Sequence, residues 1–319
     1  ILATMEHSAP SHFINFDDQI SCFELSSHDW SQNLCCVALS NRIIVGIIRL
    51  PKDDAQSGFE WQVLKEIHHE TRCYGITISP ETSLSIFPKY VVLAAAGGDF
   101  NIRIFQSDLE DSHSVQLLKG HTSYINSLAW ETDGDLLAST GDDFLCILWN
   151  CRGGFEVATR FFLTAAGMCV KWHPEVKDKL LVAAKDGIIS MYSVKSDQVI
   201  LSIETPKVPL MSADWSTKNR HCVAALAGGE LFVWDIRKPS RPVNRKQLHE
   251  DGGLMVRISP ANENLTASIG RPDLTLKVIH SKAQLPQITA PLKLYGGLGW
   301  LNRHIAAAYD RKLCLWNVP

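Results

Sequence analysis

His121, Ser139 and Asp143 carry the three side chains of an acyl-transfer triad, in which the imidazole takes the serine proton and the carboxylate orients the ring. The surrounding sequence argues against that chemistry. It has no GxSxG elbow and no arrangement of oxyanion donors. His68-His69-Glu70 suggests a metal site, but adjacent residues on a strand point to opposite faces and cannot both ligate one ion without distortion. Nine cysteines (22, 35, 36, 73, 146, 151, 169, 222 and 314) are an odd number with no CxxC pair. Most lie in apolar runs such as LCCVAL and HCVAAL, which suits buried thiols in a reducing compartment. Gly296-Gly-Leu-Gly299 lacks nucleotide-binding spacing, and no GxxxxGK[ST] loop exists. The expectation is no catalytic residue, no metal and no cofactor.

The elements that hold these residues come from a repeat. Runs centred on Leu25, Ile78, Trp130, Trp172, Trp215, Ile258 and Trp300 recur at intervals of 53, 52, 42, 43, 43 and 42 residues. The shorter intervals fall in the 40–45 residue period of WD repeats. A second series (NRIIVGII, FNIRIF, FLCILW, GIISMY, ELFVWD, LTLKVI, KLCLWN) alternates with period two and follows turn residues. Between the two lies a small apolar run, for example LAAAGG or LLASTG, suited to a strand buried on both faces. Runs such as VQLLKG, EVATRFF and QVILSI supply a fourth strand. Four strands in each of seven units predict an all-β, seven-bladed WD40 β-propeller.

The last unit ends after three strands, whereas His12–Phe16 (HFINF) is a strand-like run with no unit of its own. Letting it complete the last blade closes the ring and removes an open edge. Residues 12–319 are then one propeller, with 1–11 a disordered extension and Met5 a candidate initiator. The two long intervals hold inserts, polar Pro51–Gly58 and the more apolar Glu81–Lys89.

A net charge of −3, from 31 basic and 34 acidic residues, gives no global field for nucleic acid or anionic lipid. No apolar run reaches membrane-spanning length, and Ile1–Pro10 lacks the pattern of a secretory signal. Membrane insertion, direct nucleic-acid binding and small-molecule turnover are not expected, and the compartment is cytoplasm or nucleus.

Gly120-His121, Ser139, Asp143 and Trp149 match the WD signature, whose polar side chains form a buried structural network. The triad-like set is therefore expected to hold a blade together. His69, just before a first strand, reads as a relic of the same Gly-His position. Beyond the repeat, the chain resembles the nucleoporin 37 family, WD-repeat subunits of the Y-shaped nuclear pore scaffold. The resemblance rests on Ser107-Asp-Leu-Glu-Asp111, Gly120-His-Thr-Ser-Tyr-Ile-Asn126, Gly167-Met-Cys-Val-Lys-Trp-His-Pro-Glu175 and QVILSIETPKVPLMSADW from Gln198 to Trp215. It is strong in blades two to five and weak elsewhere.

The resemblance implies a non-enzymatic scaffold subunit at the nuclear envelope, supporting pore assembly and nucleocytoplasmic transport. Its implied partners are the stem-forming nucleoporin 160 and other Y-complex subunits, with a further location at kinetochores in mitosis. Inserts are where contacts can vary while blades keep their shape. Leu84, Ile86 and Phe87 in the second insert, and Phe59 after the first, are the candidate docking residues, placing the contact in blades one and two. Arg237-Lys-Pro-Ser-Arg-Pro-Val-Asn-Arg-Lys246 is a basic cluster in a hairpin and reads as a solvated loop or a contact for an acidic partner. Trp234-Asp235-Ile236-Arg237 within this region also resembles the motif of cullin-ligase substrate receptors, which makes a WD adaptor using Arg237 the alternative.

Overall fold

The computed structural model describes residues 8–51, 58–110, 113–272 and 274–318. Among them are 28 strands and a single short 3-10 turn, Asp29–Ser31. The strands form seven four-stranded antiparallel sheets, six of them simple meanders in chain order. Blade three is typical, with strands Ile125–Trp130, Leu136–Gly141, Leu145–Asn150 and Glu156–Phe162 from the axis outward. First strands of successive blades are neighbours all the way round, and the first strand of blade one, Cys22–Leu25, meets that of blade seven, Tyr295–Leu301. The ring is closed.

Burial follows the sequence pattern. Second strands such as Val91–Gly97 are buried throughout, because both faces pack against neighbouring blades. Fourth strands are largely exposed, as in Gln198–Glu204. Apolar clusters sit between blades rather than in one central core.

Closure uses the N-terminal strand. His12–Asn15 pairs antiparallel with Lys312–Asn317, setting Phe13 opposite Cys314 and Ile14 opposite Leu313. Ile14 and Phe16 are buried in the cluster between blades seven and one. The chain ahead of this strand is also placed, since the Ser8 N–H donates to Thr289 O at 2.8 Å and the Trp316 indole N–H to Ser8 O at 2.9 Å. The expected disordered extension therefore has bonded residues at its end, and residues 1–7 lie outside the described residues.

Within an antiparallel meander, the first-to-second and third-to-fourth connections emerge at the same end. Both inserts and the basic hairpin are such connections, so all three belong to one face of the ring.

Candidate functional site

Blade three holds the triad-like residues in one continuous hydrogen-bonded chain. The Trp149 indole N–H donates to Ser139 Oγ at 2.9 Å. Ser139 Oγ lies 2.8 Å from His121 Nε2, and His121 Nδ1 lies 2.7 Å from Asp143 Oδ2. A carboxylate only accepts, so His121 carries its proton on Nδ1 and Ser139 donates to Nε2. Asp143 also accepts the Thr122 N–H at 3.0 Å. Burial lowers the His121 pKa, with Asp143 opposing, so the ring is neutral at pH 7. Ser139 is fully buried with its hydroxyl committed, so it ties strands together and is not placed as a nucleophile.

Other blades keep pieces of this chain. In blade two, Asp99 pairs with Arg103 through two bonds of 3.0 and 2.9 Å, while Ala95 stands where Ser139 does. His69 is buried, donates through Nδ1 to Thr71 O, and leaves Nε2 without a partner among the described residues. His68 beside it is exposed. Blade six retains the histidine–serine pair, His249 Nε2 to Ser268 Oγ at 2.9 Å.

Sequence reasoning missed the lining of the central channel. One position before each first-strand anchor come Glu24, Thr77, Ala129, Lys171, Asp214, Arg257 and Gly299. Period two turns this position away from the anchor, toward the axis. A cavity of about 110 Å³ is lined by Glu24, Lys171 and Arg257 together with Ser127 and Tyr295, contributed by first strands of different blades. Lys171 Nζ lies 3.5 Å from Asp214 Oδ1, and burial raises the Glu24 carboxyl pKa. One acid and two bases line the cavity, and Asp214 beside Lys171 supplies a second acid. The repeat alignment contained the signal, one residue to the left of the anchor.

The candidate docking residues separate in space. Leu84 packs partly buried against the core between blades one and two, and its N–H donates to Trp30 O at 2.9 Å. That bond, with the Ser83–Tyr90 bridge, pins the insert to the propeller. Beyond it Ile86 and Phe87 project, 55% and 83% exposed. Phe87 borders a cleft of about 400 Å³ with Leu64 and Leu109. Phe59 is different: it packs on the core between blades seven and one and stacks on His12 at 4.6 Å. Residues 52–57 of the polar insert lie outside the described residues. The Arg237 guanidinium folds back on Asp235, Nη2 to Oδ2 at 2.6 Å and Nε to Oδ1 at 2.9 Å. Among the described residues, no group of three or more His, Cys, Asp or Glu side chains could hold a metal ion.

Residues 112–150, which run to the end of the third strand of blade three, match the family described as WD domain, G-beta repeat. A longer similarity decides the identity. The chain is 40% identical to Nucleoporin Nup37 of Drosophila melanogaster over 315 residues, covering 97% of each protein. The chain belongs to the Nup37 family. The human and mouse Nup37 proteins are each 35% identical to it over 294 residues, covering 90% of this chain and 89% of each relative. As a Nup37-family member it is a WD-repeat nucleoporin of scaffold type. Its Ser/His/Asp set is accounted for by the blade, and its exposed insert is the feature that the blade does not require.

Proposed function

We propose that this chain is a non-enzymatic scaffold subunit of the Y complex of the nuclear pore. It docks through its propeller onto the large helical nucleoporin 160, and so supports pore assembly and nucleocytoplasmic transport. Family membership supports the pore setting. The observation that carries the docking site is the pinned insert of blade two. Leu84 anchors it, while the Ile86 and Phe87 side chains face solvent, Phe87 beside a cleft that Leu64 and Leu109 share with Lys89, Asp108 and Glu110. Large exposed apolar side chains on a fixed loop are typical of contact surfaces, and a fixed loop loses little conformational entropy on binding. Attendance at kinetochores would follow from travelling with the complex.

The test is binding of the purified chain to purified nucleoporin 160, with crosslinks mapped on both partners. Crosslinks clustering around Ile86, Phe87 and Lys89 are expected. Binding whose crosslinks all fall in blades five to seven would reject the insert, and absence of binding would reject the partner.

A further inference from the structure

Six of the seven inter-blade cores contain an aromatic ring: Trp61, Phe105, Trp149, Tyr192, Trp234 and Trp316. The core between blades five and six is built of aliphatic residues, among them Leu226, Leu231, Ile258 and Ile279. Register makes the comparison specific. Thr266 pairs with Ile279 as Leu137 pairs with Trp149, and Ile258 is the anchor that corresponds to Trp130. Where blade three has Trp, Leu and Trp, blade six has Ile, Thr and Ile.

A cavity of about 320 Å³ lies at that place, lined deep by Ile258, Thr266, Ile279 and Leu231. This is large enough for an aromatic ring. Its mouth opens on the face that carries the inserts, with Val243, 64% exposed, on the lip. Behind the cavity lining, the polar receiver of blade three persists: His249 meets Ser268 as His121 meets Ser139, but among the described residues no indole donates to Ser268 as Trp149 does to Ser139.

The rim is basic. Lys238, Arg241 and Lys282 have no ion-pair partner among the described residues, whereas Arg237 and Arg245 are held by Asp235 and Glu230. Glu263 is the one carboxylate lining the cavity. Val243 joins the two features, since it borders both the cavity and the loop from Arg237 to Pro242.

We propose that this cavity is a socket for an aromatic side chain, an indole above all, carried on an acidic segment of a protein partner. The ring fills space that rings of the chain itself fill in the other junctions, and the flanking acids meet Lys238, Arg241 and Lys282. Desolvated aromatic anchors of this kind dominate interface energetics. The socket is separate from the Ile86–Phe87 insert, which lies in blade two.

The test uses the full chain and a fluorescein-labelled, end-capped peptide Asp-Glu-Trp-Glu-Asp, followed by anisotropy. Saturable binding is expected, weakening with salt and with Lys238→Ala plus Arg241→Ala. Ile279→Trp, which fills the socket from within, should melt at or above the parent temperature yet bind at least roughly tenfold more weakly. Ile258→Trp is the second filling variant should the first not fold. No binding by the parent chain would overturn the proposal. So would equal binding of a peptide with Ala for Trp, or undiminished binding by a folded filling variant.

Discussion

Trp149 and Ser139 lie ten residues apart on adjacent strands of blade three, and the indole N–H of the first donates to the hydroxyl of the second at 2.9 Å. Because Ser139 in turn donates to His121 Nε2, one hydroxyl satisfies two buried nitrogens. Its removal should therefore cost more than one hydrogen bond. Ser139→Ala leaves the Trp149 and His121 nitrogens unpaired, at about 1–3 kcal/mol each. The expected loss is roughly 2–6 kcal/mol, read as a shift of the urea midpoint at constant m. A double cycle with Trp149→Phe should be non-additive, because the two changes break the same bond. Additive losses would mean that the bond contributes nothing.

Stability should fall in mild acid for a reason seated in the histidines. Burial lowers the pKa of His28, His69, His121, His173 and His249, the last to about 4. Unfolded, each would protonate near its ordinary 6.5. Below that pH the unfolded chain binds more protons than the folded one. Stability is thus fully present above pH 6.5 and declines as the pH falls toward 4. His249 alone should account for up to about 3 kcal/mol. Melting curves from pH 7.5 to 4.5 measure the slope, and His249→Asn should flatten it. An equal slope in that variant would assign the effect elsewhere.

The fold was legible because the repeat is written in residue types that have no other use. Trp130, Trp172 and Trp215 stand at near-equal spacing, and each recurs at the end of a first strand. The network of blade three was equally legible, since its four polar residues are all present. The socket was not, because it arises from what blade six lacks: Ile258 and Ile279 are unremarkable as residues and matter only by register with Trp130 and Trp149. The packing of Phe59 was hidden for a related reason. Its partner His12 is 47 positions away, and only ring closure brings the two together.

That closure gives a direct prediction. Ile14 is buried against Leu313 and Leu315 at the seam where the two ends of the chain meet. Ile14→Asp places a charge there and should detach the outer strand of blade seven. Losing the burial of Ile14 and Phe16 removes about 3–6 kcal/mol. Accelerated amide exchange should appear in Lys312–Asn317 before it appears in blades two to five. Unchanged protection of that strand would show that the seam does not depend on the N-terminal strand.

Docking through the insert predicts a variant that separates folding from assembly. Ile86 and Phe87 are exposed, so Ile86→Ser plus Phe87→Ser should leave the melting temperature within a few degrees of the parent. Leu84 is packed, so Leu84→Ser should lower it. If the insert anchors nucleoporin 160, the exposed pair should weaken that complex by about 2 kcal/mol or more, roughly thirtyfold in Kd. Phe59→Ser provides the contrast: with its ring stacked on His12, it should reduce stability and leave the affinity of the folded fraction unaltered. Parent-like affinity in the exposed pair would remove Ile86 and Phe87 from the interface. The pinned loop would then need another explanation for keeping an 83% exposed phenylalanine.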